Sequence, residues 1–466
     1  MRWSVVTVAA AVFVLGGVSG CATARGRTTA ASRGAAAEGA GTGAARNVIL
    51  LIGDGLGDSE ITIARNYHAG AAGRLALDRL PVTGTLTTYT VQEADPTRPD
   101  YVGDSAATAT AWATGHKTSN QRLATAPGSG TVLPTILELA QAGGLATGSV
   151  TTAELTDATP AALAAHVNHR SCQGPANMAA CPAFRTSAGG LGSIAEQTVN
   201  HRIDVLLGGG HQRFAQTIDG GRFAGQTVVQ SAIAQGYTVV SDATELDALA
   251  SQGATVPRRV LGLFTPGNMT LEWTGQPAAP FPGSGPQRCT EGRRPPGEPE
   301  LATIARAALA LLNRSDRTDT SSPGFFLQIE GASIDKRNHA ADPCGQIGET
   351  IAFDAAVAVA LDYAARHPDT LVIVTGDHAH SSQIIPAPEP ADHSPGVFST
   401  LLTADGVPMT VAYATNLPGR SQEHTGTQIR VAAHGPGAAL LAGVHDQTDL
   451  FRVMATALGL APAASE

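Results

Sequence analysis

Charge and long apolar runs are both scarce in this chain. Of 466 residues only 15% are Asp, Glu, Lys or Arg, and the net charge of −9 contains no basic cluster. Nucleic acids are bound through grouped Lys and Arg, often interleaved with aromatic residues, and neither pattern is present, so no nucleic-acid partner is expected. After the first twenty residues no stretch reads as a membrane span. The most apolar candidate, AFDAAVAVALDYAA, is interrupted by Asp354 and Asp362. No G-x-S-x-G elbow surrounds any serine, which argues against an ordinary serine hydrolase. With 43% hydrophobic residues the chain can still bury a large core and has no mark of disorder as a whole.

The N-terminus is different. Arg2 precedes the apolar run VVTVAAAVFVLGGV, which is short for a bilayer span but suits the core of an export signal. The run ends in Val18-Ser19-Gly20-Cys21, a lipobox-like sequence. Residues 1–21 are therefore expected to form a lipoprotein signal ending at Cys21, which would carry the lipid anchor. Ordinary cleavage after Ala22-Thr23-Ala24 is the alternative. Residues 22–46, rich in Ala and Gly and without hydrophobic period, read as a disordered tether. The expected location is the periplasm or cell envelope. Cys172, Cys181, Cys289 and Cys344 are an even set in an exported chain, which favours disulfides. Three pairings are open. Chain order favours Cys172 with Cys181, which closes a short loop, and Cys289 with Cys344.

From residue 47 to 462 a single domain is expected. Buried-looking runs at 47–52, 146–152, 204–209, 260–264, 325–330, 370–377 and 409–415 alternate with helical patterns at Pro134–Gln141, Pro299–Arg314 and Glu349–Arg366. Pro299 suits a first helical position. The alternation predicts an α/β three-layer sandwich: a large, mostly parallel central sheet flanked by helices. The Pro- and Gly-rich stretch 276–298 reads as a long surface loop.

Ligand sites of such sheets lie beyond the carboxyl ends of the strands. Asp54, Glu330, Asp377 and His378 fall there, at or just after apolar runs. Clustered buried carboxylates repel one another unless cations neutralise them, and imidazole with carboxylate suits zinc. Asp335 and His339 have the i, i+4 spacing that places both on one helical face. Taken alone, each of these is a common cap or turn; the combination is informative. Ser105 should open a helix whose free N–H groups and dipole favour an anion, although Asp104 or Ser105 as a plain cap is the simpler use of that pair.

The segments NVILLIGDGLGDSEITIARNY, GDSAATATAWATGHKTSN, TTAELTDATPAALAAHVNHR, EGASIDKRNHA, VTGDHAHSSQI and QEHTGTQIRVAAHGP resemble successive motifs of the periplasmic, dimeric bacterial alkaline phosphatases, over nearly the whole chain from Asn47 to about Leu460. The resemblance implies hydrolysis of a broad range of phosphate monoesters through a phosphorylated Ser105, in a homodimer holding two Zn2+ and one Mg2+ per subunit. One zinc would take Asp335, His339 and His424; the other Asp54, Asp377 and His378, with Ser105. Magnesium would take Asp54, Thr159 and Glu330, with Asp157 through water. Arg170 would clamp phosphate, with Asp104 and Lys336 close by and His380 orienting Asp335. Family members often carry Asp where this chain has Asn338. His116, His166, His169 and His211 receive no role. The competing expectations are a phosphodiesterase or sulfatase of the same superfamily, and a non-catalytic phosphate- or metal-binding lipoprotein.

Overall fold

The computed structural model describes residues 44–252, 258–313, 324–386 and 395–460. The expected export signal, Cys21 and the expected tether up to residue 43 lie outside the described residues, as do residues 461 and 462 at the far end of the expected domain. Ala45 and Arg46, assigned by composition to the tether, are folded. The Ala45 N–H donates to the Ala457 carbonyl, the Arg46 N–H donates to Asp369, and Ala45 is buried.

Six of the apolar runs form strands of one ten-stranded sheet. Its order is Gly443–Asp446, Val82–Thr87, Ile429–His434, Thr370–Gly376, Asn47–Gly53, Phe325–Gly331, Ala146–Glu154, Val205–Gly209, Arg259–Leu263 and Tyr237–Val240. The seven from Thr370–Gly376 onward are mutually parallel, and Ile429–His434 runs against them. The central strands Asn47–Gly53, Phe325–Gly331, Ala146–Glu154 and Thr370–Gly376 are buried along their whole length because both faces are covered. Along Asn47–Gly53, Val48, Leu50 and Ile52 enter one core with Trp112 and Leu137, whereas Ile49 and Leu51 enter the other with Ile304, Phe353 and Val357. Each such side chain contributes about 1.5–3 kcal/mol of burial.

The run at 409–415 is an exception. Pro408–Tyr413 lies in a separate four-stranded sheet with Ser284–Gln287, Val397–Leu402 and Ser382–Ile385. Its residues are almost all buried, so its composition does not distinguish it from a central strand. The stretch 276–298 is also more ordered than its composition suggests. Ser284–Gln287 pairs with Val397–Leu402, and Thr290–Glu291 pairs with Trp273–Thr274.

All three helix starts differ from expectation. The helix expected from Pro134 runs Ile136–Ala142, with Thr135 as its N-cap. Pro299 precedes the N-cap Glu300 of the helix Leu301–Leu312 and is outside it. The helix expected from Glu349 begins at Pro343, where the Asp342 carboxylate caps it by accepting from the Gly345 N–H at 3.0 Å. Its first turns carry glycine for a packing reason: a Cβ on Gly348 would lie 2.6 Å from Trp273. This helix, Pro343–Arg366, is long and apolar enough to cross a membrane, but it packs on the helix Leu301–Leu312 and the strand Phe325–Gly331 as a core element. The cysteines form Cys172–Cys181 and Cys289–Cys344, the pairing chain order favours, and two disulfides fit an oxidising compartment.

Candidate active site

Register brings the acidic groups together. Gly53 is aligned with Gly331 on one side and with Gly376 on the other, so Asp54, Glu330 and Asp377 come to one edge of the sheet. Gly55 follows with φ +71°, and a Cβ there would lie 2.8 Å from the Asp335 Cα. Glycine thus permits the Asp54 turn to rest on the helix Ser333–His339 that carries Asp335 and His339.

Two groups of ligating atoms result. In the first, His424 Nε2 is 3.1 Å from His339 Nε2 and 3.3 Å from Asp335 Oδ1, and His339 Nε2 is 3.4 Å from Asp335 Oδ1. In the second, His378 Nε2 is 3.1 Å from Asp377 Oδ2 and 3.5 Å from Asp54 Oδ1. Ser105 Oγ joins it at 3.3 Å from both Asp54 Oδ1 and His378 Nε2. Ligands about 2.0 Å from a tetrahedral zinc are separated by about 3.3 Å, which is the spacing found here. Asp335 Oδ1 and Asp377 Oδ2 make no well-directed hydrogen bond in spite of these short separations. Each of the two instead faces the other ligating atoms of its own group, all within 4.8 Å of one another. The residues present therefore fit divalent cations.

Backbone carbonyls fix the imidazoles. Nδ1 of His424 lies 3.0 Å from Gly103 O, Nδ1 of His378 lies 3.3 Å from Ala379 O, and Nδ1 of His339 contacts Gln422 O. A carbonyl only accepts, so each Nδ1 carries the proton and each Nε2 presents a lone pair. His380 has the opposite arrangement. Its Nδ1 accepts from the Ser381 N–H at 2.9 Å, which leaves the proton on Nε2, 3.2 Å from Asp335 Oδ1 but not well directed at it. The carbonyls of Gly103, Ala379 and Gln422 have no signal in the sequence, because every residue has one.

Electrostatics point the same way. Burial and then the Asp377 charge push the Asp54 carboxyl well up, and burial raises Glu330 to about 7 and Asp377 to about 6. Burial pulls His424 down, but Asp335 lifts it to about 9. Carboxylates held this way favour a positive partner, whether a proton or a metal ion. Near Glu330, the buried Thr159 hydroxyl approaches the carboxylate without a well-directed hydrogen bond, leaving an oxygen free for a hard cation.

Ser105 opens the helix Ser105–Thr114, where the Asp104 carboxylate accepts from the Ala107 N–H at 3.0 Å. Asp104 also accepts from Gln121 and from Arg170. The Arg170 guanidinium spans two acids, with Nη2 2.9 Å from Asp157 Oδ1 and Nη1 3.3 Å from Asp104 Oδ2. Lys336 Nζ donates to the other Asp157 oxygen at 3.0 Å. Burial alone would raise Asp157, but Lys336 and Arg170 hold it well below the usual carboxylate range. Asp54, Asp104, Ser105, Asp157, Thr159, Arg170, Glu330, Asp335, Lys336, His339, Asp377, His378, His380 and His424 thus lie together, whereas Cys21 lies outside the described residues. Asn338, next in sequence to His339, is fully buried, with neither amide atom hydrogen-bonded.

The second group is almost completely buried, whereas His339 and His424 retain 30% and 13% exposure. A cavity of about 510 Å3 lined by Lys336, His339, Arg420 and Gln422 adjoins that open side. A serine hydroxyl on the closed side and space on the open side suit displacement at a centre held between them.

Comparison with known proteins agrees. The family model described as "Alkaline phosphatase" matches residues 45–414 and 403–460. A Streptomyces griseus protein named streptomycin-6-phosphate phosphatase is 57% identical over 436 residues, 93% of this chain and 94% of that one. The alkaline phosphatase of Escherichia coli K12 is 50% identical over 427 residues, 89% of this chain and 86% of the relative. In fold, the alkaline phosphatase of the Antarctic bacterium TAB5 superimposes with a TM-score of 0.67 at 24% identity, covering 90% of this chain and 99% of that one. Agreement of this extent, along nearly the full length of both relatives, shows that the chain belongs to the alkaline phosphatase family.

Proposed function

We propose that this phosphomonoesterase works through Ser105, with two zinc ions and one magnesium ion bound by the residues named above. The observation that carries this reading is the position of Ser105 Oγ, equidistant at 3.3 Å from Asp54 Oδ1 and His378 Nε2 at a helix N-terminus. Asp335, His339 and His424 would hold one zinc and Asp54, Asp377 and His378 the other, while Asp54, Thr159 and Glu330 would hold magnesium. When bound, these ions supply charge neutralisation and a lowered pKa for coordinated oxygens. No histidine is needed as a base, since the imidazole next to Ser105 Oγ belongs to a ligating residue.

Ser105 Oγ loses its proton to solvent and attacks phosphorus, the bond to the ester oxygen breaks, and that oxygen takes a proton from solvent as the alcohol leaves toward the exposed side. Water then loses a proton to solvent and attacks the phosphoserine, the Ser105 Oγ–phosphorus bond breaks, Oγ is reprotonated, and inorganic phosphate departs. The Arg170 fork grips two phosphoryl oxygens, which a lysine could not do, and Asp104 and Asp157 hold that fork in place. Lys336 adds positive charge and fixes Asp157. Contacts are concentrated on the phosphoryl group, so tolerance of the alcohol is expected. The relative named a streptomycin-6-phosphate phosphatase makes aminocyclitol phosphates a substrate class to include.

Export, anchoring through Cys21 and a homodimer complete the proposal. Rates on an aryl phosphate, a bis-aryl phosphate, an aryl sulfate and an aminocyclitol phosphate test it, before and after chelation and with zinc and magnesium restored. Monoester hydrolysis that is lost on chelation and returns with the metals is expected. Preference for the diester or sulfate, or no phosphate release by metal-loaded protein, would overturn it.

A further inference from the structure

Another group of ligating side chains lies apart from the Ser105 centre, among the helix Ile136–Ala142, the end of the helix Ile194–Asn200 and the loop leading to Arg170. Glu138, His166 and His201 converge there. His166 Nε2 is 3.1 Å and His201 Nε2 is 2.9 Å from one oxygen, Glu138 Oε1. The phosphatase reaction uses none of the three.

Both imidazoles are held as the ligating histidines at Ser105 are held. His166 Nδ1 lies 2.9 Å from Ala124 O, and His201 Nδ1 lies 2.9 Å from Gln197 O. Each Nδ1 therefore carries a proton, and in a neutral ring each Nε2 is a bare lone pair. Two such lone pairs facing one carboxylate oxygen repel. A single proton relieves only one ring, and protonating both would place a second charge on His166, whose side chain is 4% exposed. A divalent cation among the three donors relieves both contacts at once.

The carboxylate is also prepared for that role. Glu138 Oε2 accepts from the Thr135 N–H at 2.8 Å in a capping box, which fixes the side chain and leaves Oε1 for the cluster. The separations of 3.1 and 2.9 Å are close to the spacing of about 3.3 Å between ligands of a tetrahedral zinc. His201 and Glu138 are 22% and 28% exposed, so a fourth position opens to solvent.

We propose that Glu138, His166 and His201 form a separate zinc site with water as its fourth ligand. The site lies behind the phosphate clamp. His166 is in the same loop as Arg170, Val167 pairs with Leu123, and the Arg170 N–H donates to Gln121 O. An ion here ties that loop to two helices, and it stiffens the scaffold without touching substrate.

The test is anomalous diffraction at the zinc edge on the full metal-loaded protein, with the zinc content of variants measured in parallel. A zinc peak within about 2.0–2.2 Å of Glu138 Oε1, His166 Nε2 and His201 Nε2 is expected. Glu138→Gln and His201→Ala, equilibrated with the same buffered Zn2+, should each bind one equivalent fewer than wild type and keep chelator-sensitive phosphatase activity. Absence of the peak while zinc occupies the Ser105 centre would overturn the proposal. So would equal zinc content in wild type and in both folded variants. If neither variant folds, the wild-type diffraction decides alone.

Discussion

Replacing Arg170 with lysine separates charge from shape at the proposed phosphate clamp. Arginine offers two parallel N–H donors, and here they are aligned by Asp157 at 2.9 Å and Asp104 at 3.3 Å. Lysine keeps the positive charge but can fill only one arm of the fork. A charge-assisted hydrogen bond to a phosphoryl oxygen is worth about 1.5–3 kcal/mol, and each 1.36 kcal/mol is about tenfold in rate. Arg170→Lys should therefore lower kcat/KM about 10- to 150-fold. Arg170→Ala, which loses both arms, should lower it about 10²- to 10⁴-fold. The fold should persist, because Asp157 retains Lys336 at 3.0 Å and Asp104 retains the N–H groups of Ala107 and Gln121. The assay is kcat/KM on 4-nitrophenyl phosphate, the inhibition constant of inorganic phosphate, and Tm as a folding control. A folded Arg170→Lys enzyme within twofold of wild type on both constants would refute the bidentate role.

Three other outcomes follow from the structure. Asn338→Asp adds a buried carboxylate next in sequence to His339, so it should alter the phosphate inhibition constant and turnover without changing the reaction, and identical constants would contradict this. Burial raises the Glu349 carboxyl to about 8, above an unfolded value near 4.5, so the folded state binds the extra proton and stability falls as pH rises between those values. Glu349→Gln should remove that loss, gaining over wild type in denaturant titrations at pH 8 but not at pH 4, and a pH-independent difference would rule it out. Chain-entropy arguments give about 4 kcal/mol for Cys289–Cys344, whose partners are 55 residues apart, and about 2.5 kcal/mol for Cys172–Cys181, 9 apart. Double serine variants should be destabilised in that order, and the reverse order in urea unfolding would count against it.

Much of the centre was legible because parallel strands buried on both faces are continuous apolar runs with abrupt ends. Asp54 and Asp377 follow such ends, and Glu330 stands at one. Asp335 and His339 were legible through helical spacing. Composition did not reveal which distant groups meet: Asp54 and His378 are adjacent only because their strands pair in register. Arg170 and His424 occupy loops with no periodic signal, and their assignment rested on family resemblance. Pro408–Tyr413 was misplaced because burial under a small sheet and burial in a central one select the same side chains. The early start at Pro343 was hidden by Gly345 and Gly348, which disfavour helix in isolation but leave room for close packing, at Gly348 against Trp273. His201 carries no sequence signal of its own. Its meaning comes from Glu138 and His166, far away in sequence.

The central claim is that Ser105 carries the phosphoryl group between the two displacements. Rapid acid quench of the metal-loaded enzyme with a 32P-labelled monoester, followed by peptide mapping, tests it directly. Label is expected on the Ser105 peptide and absent from folded Ser105→Ala. Label on another residue, or a fully active enzyme that traps none at a pH where the second displacement is slow, would contradict the account.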